Sequence, residues 1–175
     1  MSKSGEQKYL KSALEKYALA YIRYVKSALK NAKPFSKIDT GKLYDSFKYK
    51  ISDIENELEL EITAADYIMA VNDGTGGKGY NTKERKPPSH EILTAWVKRR
   101  LGYQGKKAEQ VGWAVQKKIR KFGTKPTHVL ETARAAIVND TSIIKGLNEA
   151  TRNDLIDYID QSLAEVAKKY GFRQE

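Results

Sequence analysis

The segment Glu57–Thr63 alternates acidic and apolar residues without interruption, as Glu57, Leu58, Glu59, Leu60, Glu61 and Ile62. Successive side chains of a strand point to opposite faces, so this period of two predicts a strand with one buried face and one exposed, acidic face. Tyr49–Ile54 predicts a partner strand, and residues 53–56 form the expected hairpin turn. Tyr67–Val71 is a third strand candidate, which makes a three-stranded antiparallel meander the simplest arrangement.

Both ends of the chain space their apolar residues three and four apart, which is typical of one helix face. Residues 6–31 predict a long N-terminal helix that stops before Pro34. Residues 141–170 predict a long C-terminal helix, capped by Asp140 or Thr141. Its predicted apolar face consists of Ile144, Leu147, Leu155, Ile159, Leu163 and Val166.

Two basic helices lie between these ends, one from the cap residue Ser89 to Leu101 and one over residues 106–122. A short strand and a helix are expected over residues 127–138. We therefore predict an α+β fold in which a small antiparallel β-sheet packs with helices, with long N-terminal and C-terminal helices.

The length of 175 residues fits a single domain. Within it we expect a flexible N-terminal tail over residues 1–8, a core over 38–138 and the C-terminal helix over 141–170. The longest apolar runs fall far short of the roughly 20 residues that a membrane helix needs. The N-terminal residues lack the apolar centre of a signal peptide. We expect no membrane association, and a protein that stays in the cytoplasm where it is made.

The residue types needed for most catalytic chemistry are missing or isolated. The chain has no cysteine and two histidines, His90 and His128, neither in a metal-binding or nucleophile–base spacing. The run Gly74–Gly79 contains a Gly-Lys pair but departs from the phosphate-binding loop at both ends, where Asn72 and Gly79 stand. We predict no catalytic residues, no metal and no cofactor, and hence a protein that is not an enzyme.

The net charge of +10 is distributed unevenly. Residues 51–73 contain seven acidic and no basic residues, whereas residues 74–125 contain fourteen basic and three acidic residues. The cations of the two basic helices are expected to face DNA or a ring lumen, to form an ordinary solvated helix surface, or to dock on a protein. The residues considered as DNA-facing are Lys98, Arg99, Arg100, Lys117, Lys118, Arg120 and Lys121.

Residues 72–88 are rich in glycine and charge and predict a mobile loop, either an assembly loop or a plain surface loop. Trp96 and Trp113 are assigned to the apolar faces of the two basic helices, as core residues or as anchors of a subunit interface. The residues considered for contacts with another subunit or a partner are Glu57, Glu59, Glu61, Gly74, Gly76, Gly77, Lys78 and Trp96.

The order of several short motifs resembles the head–tail connector, or tail-completion (neck), proteins of long-tailed bacteriophages. The matching pieces are Asp39-Thr40-Gly41-Lys42-Leu43, a hairpin, Ala65-Asp66-Tyr67, Pro87-Pro88 before a helix with Ala95-Trp96-Val97-Lys98, a basic helix, and Gly123-Thr124-Lys125-Pro126 with Leu130. The resemblance covers roughly residues 38–133, more than half of the chain.

This resemblance implies a non-enzymatic structural protein of the virion neck. Its expected partners are further copies of itself in a ring, the portal or adaptor proteins of the head, the tail tube or tail terminator, and DNA passing through the lumen. Two alternatives stay open: a tail terminator that caps the tail tube, and a basic, non-specific DNA-binding protein that works alone. A contact between the acidic strand of one subunit and the basic helix of its neighbour is a further expectation.

Overall fold

The computed structural model of the protein describes residues 7–33, 36–54, 57–76 and 87–170. These residues form seven helices and one two-stranded antiparallel sheet, which confirms the predicted α+β class with long terminal helices. The chain divides into two compact units. Unit 1 consists of residues 1–28, 46–63 and 131–175, and unit 2 of residues 29–45 and 64–130. The single domain stays a prediction, and the expected core over 38–138 contributes residues to both units.

Two long helices dominate unit 1. Helix α1 spans Lys8–Asn31, with its last three residues in unit 2, and helix α7 spans Thr141–Tyr170. The Asp154 carboxylate accepts the backbone N–H groups of Tyr9 and Leu10, at 3.0 and 2.7 Å. These N–H groups lie in the first turn of α1, where backbone N–H groups have no hydrogen-bond acceptor within the helix. The predicted tail over 1–8 therefore ends where α1 begins, and residues 1–6 lie outside the described residues.

The same two helices are joined a second time through Asp140, which precedes α7 and contacts Tyr24 in the second half of α1. Its Oδ2 accepts the hydroxyl of Tyr24 at 2.7 Å, and its Oδ1 accepts the hydroxyl of Ser142 at 2.7 Å and that residue's backbone N–H at 3.2 Å. These hydrogen bonds, first from Ser142 and then from Tyr24, lower the pKa of Asp140 from 3.8 to about 2. Asp140 thus caps α7, as one of the two predicted cap residues, and α1 and α7 run antiparallel between Asp140 and Asp154.

The sheet is a hairpin in unit 1, with β1 over Lys48–Ile54 and β2 over Glu57–Thr63. The register pairs Lys50 with Glu61, Ser52 with Glu59 and Ile54 with Glu57. Directly opposed residues share a face, so the three glutamates lie on one face of the hairpin, and all three are exposed as predicted. The alternating Leu58, Leu60 and Ile62 are half-buried on the other face.

The predicted third strand, Tyr67–Val71, is wrong. These residues fold into a short helix, α3, over Ile68–Asn72. The apolar residues run consecutively from Ile68 to Val71 and do not alternate, so periodicity alone does not separate a strand from a short helix there. The strand expected at the start of 127–138 is also absent from the described residues, because Thr127 and His128 precede a helix, α6, over Val129–Val138.

Helices α2, α4 and α5 of unit 2 span Lys42–Asp45, His90–Leu101 and Gly105–Phe122. Ser89 caps α4 by accepting the N–H of Ile92, and Gly102 ends it at a φ of 72°, both as predicted. Helices α4 and α5 pack closely where Gly112 faces Thr94. A Cβ on Gly112 would lie 2.6 Å from Thr94 Oγ1, so the absence of a side chain sets the distance between the helices.

Candidate interaction surfaces

Asn72 joins two parts of unit 2 that are far apart in sequence. It ends α3, is 2% exposed, and its Oδ1 accepts the backbone N–H of Leu130 at 2.9 Å. Its carbonyl oxygen accepts the N–H groups of Thr127 and His128 at 2.9 and 3.0 Å. The Leu130 N–H lies in the first turn of α6, where a helix offers no internal acceptor. Asn72 therefore caps α6 from a distant position in the chain, a role that the sequence reading did not identify.

The next residues form a second contact, here called the Gly-Thr clasp, between Gly74–Gly76 and Gly123–Pro126. The Thr75 N–H donates to the Thr124 carbonyl at 3.0 Å, and the Thr124 N–H donates to Thr75 Oγ1 at 2.9 Å. Gly74 and Gly123 have φ of +68° and +71°, which glycine adopts without steric cost. A Cβ at either position would lie within 2.4 Å of a backbone oxygen of the other segment, so the clasp requires glycine at both.

The clasp assigns Gly74 and Gly76 of the glycine-rich loop a different role from the predicted partner contact. Gly76 also packs against backbone, since a Cβ there would lie 2.6 Å from the Phe122 carbonyl. Gly74 and Gly76 thus serve the internal packing of unit 2, and the mobility predicted from residue 72 onward does not apply to the clasped residues. Gly77 and Lys78 lie outside the described residues. The Gly-Thr pair occurs at both 74–75 and 123–124, and this repetition is the sequence signal from which the contact could have been inferred.

One side of α5 carries a basic face made of two groups of cations near its two ends, and their residues lie within roughly 160° of the helix circumference at 100° per residue. Its members are Lys106, Lys107, Lys117, Lys118, Arg120 and Lys121, all of which are exposed. Ala108 and Gly112 are buried on the opposite side. The predicted cations of α5 therefore do share a surface, and Lys98 on α4 is exposed as well.

Arg99 and Arg100 make an intramolecular contact that the sequence reading did not foresee. The Arg99 guanidinium makes two hydrogen bonds to the Asp39 carboxylate, at 2.5 and 3.2 Å, and Arg100 Nε lies 3.7 Å from the same carboxylate. The bonds to Asp39 raise the pKa of Arg99. Part of the positive charge assigned to a DNA-facing surface is thus compensated within unit 2. Asp39 is also the first residue of the Asp-Thr-Gly-Lys-Leu motif on which the resemblance rests.

Trp113 lies on the basic side of α5, because positions 106, 113, 117 and 120 are seven, four and three residues apart. It is 58% exposed, so the core alternative for this residue is wrong. Its ring stacks on His90 at a centroid distance of 4.2 Å. His90 Nε2 in turn lies 3.2 Å from Thr94 Oγ1 and 3.2 Å from the Glu109 carbonyl, so it links α4 to α5.

Trp96, the tryptophan considered for a partner contact, is half-buried in α4. The acidic strand face with Glu57, Glu59 and Glu61 belongs to unit 1, whereas the basic face of α5 belongs to unit 2. Lys50 stands opposite Glu61 in the hairpin register, so one of the three glutamates has a basic neighbour across the strands.

The apolar face predicted for α7 is covered only along its first half. Ile144 and Leu147 are half-buried, but Leu155, Ile159, Leu163 and Val166 are 56%, 46%, 61% and 49% exposed. The physical reason is that α1 runs beside α7 as far as Asp154 and begins there, at Lys8. We call these four exposed residues the α7 stripe.

Unit 2 contains an open apolar groove of about 590 Å³. Its apolar lining includes Ile38, Leu43, Val71, Ile92 and Ala95, and the charged residues at it are Lys37, Asp39, Lys42 and Arg99. Ile92, in the first turn of α4, is 60% exposed. The sequence reading did not foresee this groove, because its walls come from segments that only the fold brings together.

Within the described ranges, no group of three or more histidine or carboxylate side chains is arranged to hold a metal ion. No helix in that part of the chain is long and apolar enough to cross a bilayer. Comparison of the sequence with protein-family models, of the chain with curated proteins, and of the fold with solved structures finds no match.

Proposed function

We propose that this protein is a structural, non-enzymatic component of the neck of a long-tailed bacteriophage, where it forms an oligomeric ring that joins the DNA-filled head to the tail. The observation that carries the proposal is that most of the motifs on which the resemblance rests are bonded to one another in unit 2. Asp39 of the first motif binds Arg99 beside Trp96-Val97-Lys98, and the segment after Ala65-Asp66-Tyr67 is clasped to Gly123-Thr124-Lys125-Pro126.

The exposed apolar surfaces support the same proposal. Large contiguous apolar patches on a protein surface mark sites of association. The α7 stripe is an exposed apolar strip, and the groove of unit 2 is a second, smaller apolar surface on the same chain. A chain with two different patches is suited to head-to-tail contacts, which close into rings when the rotation between subunits allows.

The test is electron microscopy of lysates from the phage or prophage that carries this gene, with the gene disrupted by an early stop codon. The expected result is DNA-filled heads and finished tails of normal length that remain separate. A synonymous change at the same codon is the matched control, and supply of the wild-type protein in trans restores joined particles. Normally joined particles from the disrupted gene would contradict the neck assignment.

The same micrographs distinguish the tail terminator. A terminator stops polymerisation of the tail tube, so its loss gives tubes of irregular and excessive length. Tails of uniform length that lack heads support the joining role, whereas overlong tubes support the terminator.

The basic face of α5 favours a second candidate function, non-specific DNA binding by the isolated protein. The face combines six cations with the exposed ring of Trp113. Duplex binding by such a surface weakens steeply between about 50 and about 200 mM salt, because each contacted phosphate releases a counterion. Replacing Lys117, Lys118 and Lys121 by glutamine reduces both the affinity and the salt slope if this face binds DNA. Binding with an unchanged slope would place the DNA elsewhere.

A further inference from the structure

Trp113 lies between the two groups of cations on α5. Lys106 precedes it by seven residues, and Lys117 and Arg120 follow it by four and seven residues. At 100° per residue these four positions fall within about 60° of the helix circumference, and they span about 21 Å of its axis. The exposed ring and these three cations therefore form one narrow surface, here called the Trp113 platform.

The Trp113 ring is held in place by its own unit. One face of the ring stacks on His90, with the two planes 18° apart. His90 is fixed in turn, because its Nε2 lies 3.2 Å from both Thr94 Oγ1 and the Glu109 carbonyl. Since 58% of Trp113 remains exposed, the ring face opposite His90 is open. A flat ring that is already fixed can accept a second flat group at a low cost in side-chain entropy.

The charge around the ring indicates the kind of partner. Lys106, Lys117 and Arg120 are exposed, and none of them pairs with a carboxylate among the described residues. Glu109, one turn before Trp113, is the acidic residue of α5 and opposes part of this charge. Three cations against one anion favour a polyanion. A polyanion that also carries exposed flat rings matches both the cations and the open face of Trp113.

We infer that the Trp113 platform binds single-stranded nucleic acid, with one unpaired base stacked on the open face of Trp113 and the adjoining phosphates at Lys106, Lys117 and Arg120. The bases of a duplex are already stacked on one another, so a duplex offers the ring no free base face. The cations alone bind either form, and the ring adds the preference for a single strand. This inference rests on the second candidate function, DNA binding by the basic face of α5, and is independent of the neck role.

The chain has two tryptophans, which allows a direct measurement. In the Trp96→Phe variant Trp113 is the single tryptophan, so its fluorescence reports on the platform alone. We expect an oligothymidylate of about 12 nucleotides, a length within the site sizes of single-strand binders, to quench this fluorescence in a saturable manner. A duplex of the same length is expected to quench it little. An oligouridylate is expected to act like the oligothymidylate, because stacking and phosphate contacts do not read the 2′-hydroxyl.

Fluorescence anisotropy of a labelled oligothymidylate measures the affinity of variants. Trp113→Leu removes the flat ring and is expected to weaken binding about 5- to 150-fold, whereas Trp113→Phe is expected to recover part of the loss. Replacing Lys117 and Arg120 by glutamine is expected to reduce the salt slope by about 1.4, from about 0.7 per phosphate on a single strand. Glu109→Gln is the control of opposite sign and is expected to tighten binding, because it removes a repulsive charge and retains the backbone contact with His90.

Three results would overturn the inference. These are unchanged Trp113 fluorescence when anisotropy shows saturation, equal affinities of the wild type and Trp113→Leu, and a duplex that binds and quenches like the single strand. Circular dichroism and thermal midpoints confirm that the variants are folded. If the duplex binds without quenching and single strands bind no better, the second candidate function stands and only the stacking is wrong. If neither form binds, that function is wrong as well, and the micrographs of the disrupted gene still decide the neck role.

Discussion

Replacing Gly112 by alanine tests how closely α4 and α5 pack. The new Cβ would lie 2.6 Å from Thr94 Oγ1, 3.2 Å from its backbone nitrogen and 3.3 Å from its Cα. The first distance is shorter than any normal contact, and the other two are tight. Thr94 is 7% exposed, and its hydroxyl lies 3.2 Å from His90 Nε2, so it has little room to move.

A favourable effect and two unfavourable ones set the change in the free energy of unfolding. Alanine in a helix interior is favoured over glycine by about 1 kcal/mol. Overpacking a close contact costs about 1–3 kcal/mol, and loss of the hydrogen bond to His90 adds about 1 kcal/mol. We therefore expect Gly112→Ala to lower the free energy of unfolding by about 1–3 kcal/mol, and the thermal midpoint by about 2–4 °C for each kcal/mol.

Gly146→Ala is the matched control, because Gly146 lies inside α7 and a Cβ there would meet no atom within 4 Å. We expect this variant to gain about 0.5–1 kcal/mol. Urea unfolding followed by far-ultraviolet circular dichroism measures both. If the two variants were stabilised equally, the packing argument would be refuted. The double variant Gly112→Ala/Thr94→Ala shows whether the hydroxyl carries the cost, since a coupling energy above about 0.5 kcal/mol identifies direct contact.

Two further substitutions test the caps. Asn72→Ala leaves the Leu130 N–H without its acceptor and is expected to lower the free energy of unfolding by about 1–3 kcal/mol. The control is Asn139→Ala, which removes an exposed hydrogen bond to Ala135 and is expected to change the free energy of unfolding by less than about 0.5 kcal/mol. Equal effects of the two substitutions in urea unfolding would contradict the capping role of Asn72. Asp140 has a folded pKa of about 2 against 3.8, so its stabilising contribution is complete above about pH 4 and is lost as the pH falls through about 2. Asp140→Asn is therefore expected to flatten the stability profile between these values, and an unchanged acid limb would argue against the bonds to Ser142 and Tyr24 as its source.

Most of the secondary structure could be predicted from the sequence, because its causes are local. Ser89 and Gly102 bound α4 through hydrogen bonds and dihedral angles within a few residues of the chain. The alternation from Glu57 to Ile62 needs only the geometry of a strand. The short run from Ile68 to Val71 was misread because a few consecutive apolar residues fit both a buried strand and a helix.

The candidate surfaces were predicted less well. The periodicity of α7 correctly placed Leu155, Ile159 and Leu163 on one face, but it gave no information on whether another element covers that face. Trp113 was assigned to the apolar face of α5, as a core residue or a subunit-interface anchor, although its helical position matches the cations Lys117 and Arg120. Both cases have the same origin, since a pattern of apolar spacing describes one helix and burial depends on its neighbours.

The sequence by itself determined the helices at both ends, the acidic hairpin, the separation of charge and the lack of cysteine chemistry. These follow from residue identity and from spacings of two, three and four along the chain. Tertiary structure alone decided that Asn72 caps α6, that Thr75 meets Thr124, and that Asp39 binds Arg99. Each of these contacts joins residues about fifty or more positions apart. No local periodicity encodes such a contact, because its free energy arises only when the whole unit has folded.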